Sequence, residues 1–154
     1  MVPEFVVLHH SLTEDSGTVS WGAIRRYHTQ VQGWRDIGYH WGLELVGDFY
    51  EVLLGRWWDE AGAHVAELQM NARSLGICLV GNFDLVPPPD AQWAKALALA
   101  QRLRVRWGIP VRNVLGHREV GLLAGKDWRQ GAYKTCPGRS FDLDRFRQEL
   151  ETPA

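Results

Sequence analysis

The 154-residue chain lacks several features that would otherwise decide its class. No apolar run approaches the roughly 18 residues of a membrane-spanning helix, so membrane insertion is not expected. The N-terminus has no basic start followed by an apolar stretch, as a secretory leader would, and the expectation is a chain made and kept in the cytoplasm. Only two cysteines occur, Cys78 and Cys136, which excludes the disulfide framework of a small secreted module. Charge of one sign is missing too, because 17 Lys plus Arg oppose 18 Asp plus Glu for a net charge of −1. That balance gives no global field for a polyanion, so no nucleic-acid partner is expected.

What is present is ordinary in bulk. At 45% hydrophobic and 23% charged residues, the composition is that of a globular chain, not a disordered or fibrous one. Its length is near the roughly 150 residues of one domain, and no repeat, low-complexity tract or linker divides it, so one domain over 1–154 is expected. Tryptophan is the exception, with eight residues. Most are expected in the core, and a few along a groove, where a flat aromatic face suits a sugar ring or an extended chain.

Glu4 to His9 (EFVVLH) reads as a buried strand ending in two histidines. Ser20 is a candidate N-cap for a helix that turns Ile24, Tyr27, His28 and Val31 to one side and stops at Gly33. Residues 40–46 and 49–54 form a hairpin through Gly47-Asp48, followed by a long irregular loop over 56–73. Leu75 to Val80 reads as a central strand, and Asp90 as the cap of a helix with an apolar face of Trp93, Leu97, Ala100, Leu103 and Trp107. A short strand, 113–116, ends at His117; residues 118–139 form a second long connection, and Asp142 caps a last helix carrying Phe146 and Leu150. The order β, α, β, β, β, α, β, α predicts an α/β fold, a mixed sheet with helices on its faces.

His9 ends the first strand and His117 the last, and Cys136 follows in the loop Lys134-Thr135-Cys136-Pro137-Gly138. If those strands are neighbours, two imidazoles and a thiolate meet at one sheet edge, leaving one open position on a tetrahedral Zn2+ as catalytic sites do. By spacing alone, simpler readings compete: histidines at a rim, and a cysteine acting as a small buried hydrophobe. Cys78, inside LGICLV, reads as a core residue.

The motifs VLHHS, IRRYH with GWRDIGYHW, SLGICLVGNF, GHREV and KTCPG run in order from residue 7 to 138. In this combination the chain resembles the type-2 N-acetylmuramoyl-L-alanine amidases, the zinc family that includes amidase-type phage lysozymes and peptidoglycan recognition proteins. The resemblance implies a central mixed sheet flanked by helices, with zinc at the floor of a groove. It implies one Zn2+ held by His9, His117 and Cys136, with Tyr39 (GYH) and Lys134 (K-x-C) completing the catalytic set. The bond cut would be the amide between the lactyl group of N-acetylmuramic acid and L-alanine of the stem peptide. Lys134 would stabilise the oxyanion, and Tyr39 would position the attacking water, since a phenol is a poor base at pH 7.

His64 and Asn71 resemble the family's groove-lining pair, although the glycine between them is missing and VAELQM is longer than in compact relatives. Trp128, Arg129 and Tyr133, in the long connection before Cys136, are candidate groove residues, the arginine for a stem-peptide carboxylate. Glu119 is either an outer partner orienting a ligand or a salt-bridged surface residue. His28 and His40 are read as packed histidines outside the metal set. The implied partner is peptidoglycan or a muropeptide, met by a monomer without a separate wall-binding domain and, for a phage lytic enzyme, released by a holin-like partner. A recycling amidase and a non-cleaving binding module are the alternatives; retention of all three donors separates this chain from the second.

Overall fold

A computed structural model describes residues 1–13 and 20–152. The strands are β1 (Phe5–His10), β2 (Trp41–Val46), β3 (Phe49–Leu54), β4 (Ser74–Leu79) and β5 (Val114–Gly116), in the spatial order β3-β2-β4-β1-β5. β1 runs parallel to β4 and β5, β2 runs parallel to β4, and β2 and β3 form the antiparallel hairpin. The sheet is mixed, as expected, and β4 is buried along its whole length.

Alternation along the strands divides the apolar residues between two layers. On one face Val6, Leu8, Leu75, Ile77 and Leu79 meet Trp93, Ala96 and Ala100 of α2 (Asp90–Trp107) and Phe146 and Leu150 of α4 (Leu143–Glu151). Each large aliphatic side chain buried there contributes about 1.5–3 kcal/mol. On the other face Val7 packs with Val65, Met70, Leu115 and Val120, and Trp21 with Ile37 and Cys78. Helices α1 (Trp21–Arg26) and α3 (His117–Leu123) supply parts of that layer.

Four local expectations change. Residues 118–139 are not one irregular connection, because α3 begins at His117 and a 3-10 turn spans Trp128–Gln130. The carboxylate of Glu119 accepts the Gly116 N–H at 2.9 Å and closes the first turn of α3, as in a capping box. At α1 the buried Glu44 carboxylate accepts the backbone N–H groups of Ser20 and of Trp21, the latter at 2.9 Å, so an acid from β2 holds this N-terminus. The helix then widens into a π-helical segment over Tyr27–Val31. That change of period turns His28 inward and leaves Tyr27 and Val31 exposed. Asp90 is the first residue of α2 and Pro89 its N-cap, whereas Asp142 caps α4 as expected, accepting the Arg145 N–H at 2.9 Å. Of the tryptophans only Trp21 and Trp93 are buried; Trp41, Trp58 and Trp107 pack at the core's rim, where their size exceeds the space between layers.

Candidate metal centre

Parallel pairing sets Leu8 opposite Gly116, so His9 and His117, each the next residue, leave neighbouring strands at the same carboxyl edge. Ligand sites in open α/β sheets form at such edges. Cys136 completes the group: donor atoms of His9, His117 and Cys136 all lie within 4.8 Å of one another, and all three residues are buried. His9 Nδ1 is 3.6 Å from Cys136 Sγ.

The outer nitrogens of both rings are engaged. His9 Nε2 lies 2.9 Å from His64 Nδ1, and His117 Nε2 lies 2.9 Å from the Tyr133 hydroxyl. Burial pushes His9 well below the ordinary imidazole range, with His117 and His64 adding repulsion. Burial, then Lys134, brings His117 down to about 4. Both rings are therefore neutral at pH 7, the form that offers a lone pair. Burial also raises the Cys136 thiol to about 12, and a divalent cation reverses that by favouring the thiolate. Two neutral imidazoles with occupied outer nitrogens and one thiol, converging in a buried cluster, fit a tetrahedral metal ion with a fourth position free.

The Cys136 loop is held from three sides. The Arg118 backbone N–H donates to the Cys136 carbonyl at 2.6 Å. The buried Arg118 guanidinium donates to the carbonyls of Gly138 and of Phe141, the latter at 2.8 Å. Asp84 accepts from the Thr135 hydroxyl at 2.8 Å and from the Arg139 N–H at 2.9 Å. Gly138 has φ +111, and a Cβ there would strike the Phe83 backbone, so glycine is required.

Above the donors is a cavity of about 450 Å³, lined among others by Tyr39, His64, His28, Trp34 and Lys134. The Tyr39 ring lies 5.1 Å from that of His9 and 6.1 Å from that of Trp21. Burial, reinforced by Cys78 and Cys136, pushes the pKa of its hydroxyl well above 10. The structure thus brings Tyr39, Lys134 and His64 to the three donors.

The other candidates have partners of their own. The Asn71 side-chain carbonyl accepts the backbone N–H groups of His64 and Val65 at 2.7 and 2.9 Å, so it shapes the His64 loop. Trp128 and Arg129 line a separate hollow beside α3, where Trp128 stacks on Arg118 and Arg129 pairs with Asp127 at 2.9 Å. Glu119 pairs with Arg147 at 2.9 Å while capping the turn that begins with His117. His28 Nδ1 accepts the Gly38 N–H at 3.1 Å, and His40 Nδ1 accepts the Gly76 N–H at 2.9 Å. Sequence reasoning missed Arg118 and the contact of His64 with His9, and it read Tyr133 as a groove wall, whereas the hydroxyl lies 2.9 Å from His117 Nε2. For Arg118 the signal was its place beside His117; for Tyr133 the sequence pointed to the groove but not to His117.

Residues 1–139 match the family model described as N-acetylmuramoyl-L-alanine amidase. The endolysin of Klebsiella phage KP32 is 33% identical over 151 residues, covering 95% of this chain and 86% of that protein. Among solved structures, the N-acetylmuramoyl-L-alanine amidase LysC from Clostridium intestinale URNW is similar with a TM-score of 0.77 and 25% identity, over 99% of this chain and 88% of that one. A mutant of Drosophila PGRP-LB in complex with tracheal cytotoxin is similar with a TM-score of 0.74 and 26% identity, over 94% and 80% of the two chains. The chain belongs to the N-acetylmuramoyl-L-alanine amidase family.

Proposed function

We propose that this chain is a zinc-dependent N-acetylmuramoyl-L-alanine amidase, in which His9, His117 and Cys136 hold one Zn2+ and Tyr39 and Lys134 act on the substrate. The observation that carries this reading is the convergence of two neutral imidazoles and a thiol, from three separate stretches of chain, on the floor of a cavity. When bound, zinc supplies Lewis acidity for the scissile carbonyl and lowers the pKa of water.

The chain's own residues do the rest. Lys134 sets a cation at the cavity, where the amide carbonyl oxygen gains charge during attack; a donor of this kind lowers the barrier by roughly 3–4 kcal/mol. With its pKa well above 10, Tyr39 keeps its proton, so it orients a water or the substrate and does not remove a proton. His64, against His9, fixes that ring. The walls at Trp34 and His28 exclude water from one side of the amide.

The substrate is peptidoglycan or a muropeptide, cut between N-acetylmuramic acid and L-alanine by a monomeric domain spanning 1–154. Similarity to the phage endolysin supports a lytic role, with release to the wall by a holin-like partner from the cytoplasm. No helix among the described residues is long and apolar enough to cross a membrane. The test is mass spectrometry of purified peptidoglycan incubated with the protein, with and without a zinc chelator. Chelator-sensitive release of stem peptides with a free L-alanine amine is the expected result. Intact glycan-peptide bonds in a zinc-loaded sample would overturn it in favour of a binding module.

A further inference from the structure

The two stretches that read as long irregular loops, 56–73 and 118–139, meet beside His117. Glu67 opens the 3-10 segment Glu67–Ala72 of the first loop. Lys126 and Tyr133 belong to the second, and Lys126 Nζ lies 2.8 Å from Glu67 Oε1. The Glu67 carboxylate also faces the Tyr133 hydroxyl, lowering its own pKa and raising the phenol's, and that hydroxyl lies 2.9 Å from His117 Nε2. The tyrosine ring packs against α3 at Gly121, where any Cβ would overlap it. Just after Glu67, Leu68 and Gln69 hold φ of 54 and 58, a left-handed conformation that costs of order 1 kcal/mol per residue and persists only where surroundings impose it.

The direction of these hydrogen bonds follows from donor chemistry. An ionised carboxylate only accepts. Burial raises the Glu67 pKa, but the bonds from Lys126 and Tyr133 outweigh it and bring the group down to about 2. The Tyr133 proton therefore points to Glu67, and the phenol oxygen is left to accept from His117. His117 must then carry its proton on Nε2, which frees the Nδ1 lone pair for the cluster.

We propose that Tyr133 and Glu67 are positioning residues for His117: a carboxylate–tyrosine–imidazole relay, built from the two long loops, that selects the tautomer and ring orientation in which His117 can bind the metal. This rests on the metal reading above. Neither residue lines the cavity, so both act through His117 and not on substrate.

The experiment is Zn2+ affinity by competition with a chromophoric chelator, together with long-range 1H–15N NMR of the His117 ring in metal-free protein. Tyr133→Phe keeps the ring against Gly121 and removes only the hydroxyl. It should weaken zinc binding about 10- to 100-fold and mix the His117 tautomers, with the fold intact by circular dichroism. Glu67→Gln should act in the same direction with a smaller effect. Gly121→Ala, which displaces the tyrosine ring without touching its hydroxyl, should weaken zinc binding as well. Zinc affinity of Tyr133→Phe within about twofold of the parent, or an Nδ1–H tautomer in the parent, would overturn the relay. A parent that takes up no zinc overturns the metal reading and the relay with it. A parent that binds zinc beside an equally tight Tyr133→Phe overturns the relay alone.

Discussion

The two histidines of the cluster are backed in different ways. Behind His9 stands His64 at 2.9 Å, whose loop is pinned by Asn71 seven residues further along. Behind His117 stands Tyr133, and behind that Glu67 and Lys126, from segments 59 residues apart. His64 reaches His9 across 55 residues of chain, but its own loop is braced locally, over seven residues; Tyr133 is only 16 residues from His117, but its brace needs two distant loops to dock at once. One donor type at one site can thus be backed by a loop braced within itself or by a loop braced against a second one, and the second is the more easily undone by a single change.

The largest effect should come from removing a donor outright. Cys136→Ala or His117→Ala should abolish stoichiometric zinc and reduce turnover beyond the roughly 100-fold seen for outer partners, with the domain still folded. Metal analysis alongside peptide release checks this, and full activity without metal would refute the ligand assignment. Lys134→Ala should keep zinc while kcat falls by roughly 100- to 1000-fold; unchanged turnover would remove its oxyanion role. The contrast between the histidines is sharpened by combining His64→Ala with Tyr133→Phe. Because the two partners touch different rings, their effects on the logarithm of zinc affinity should add, and a shared, saturating loss would mean a single coupled support.

A smaller effect is expected at Arg118. Arg118→Met leaves the Gly138 and Phe141 carbonyls without their donor, at about 1–3 kcal/mol each. The melting temperature should drop by several degrees, at roughly 2–4 °C per kcal/mol for a chain of this size; an unchanged melting temperature would mean that Asp84 alone holds the loop. The smallest concerns pH. Since the Glu67 pKa in the folded protein is depressed to about 2, its stabilising contribution is present above the ordinary carboxylate range and is lost as pH falls towards 2. The stability difference between the parent and Glu67→Gln should be flat above about pH 5 and shrink below it. A difference still changing between pH 6 and 8 would assign the effect to another group.

Much of this arrangement was legible in the residues. A strand ending in His9 and another ending at His117 are enough to bring the two rings together once the strands are neighbours, and parallel pairing of β1 with β5 does that. Asp142 announced α4 because a side-chain carboxylate at an N-cap acts locally. What escaped was set by contacts far away in the chain. The N-cap of helix α3 is Gly116, which has no side chain to signal a cap, and the helix's Glu119 is shared with Arg147 on α4. The α1 cap comes from Glu44, 24 residues beyond Ser20. The hydroxyl of Tyr133 reaches His117 only because Gly121 leaves room for its ring, a steric fact with no local periodicity.

His9 and Cys136 are 127 residues apart in the chain, yet their donor atoms are near neighbours. During synthesis the first strand therefore emerges with one of the three donors, and the set is complete only when almost the whole polypeptide has been made. Once closed, a metal held there would act as a staple between the beginning of the chain and its last fifth. Stripping it should loosen the molecule as a whole, and its binding free energy adds to the stability of everything enclosed.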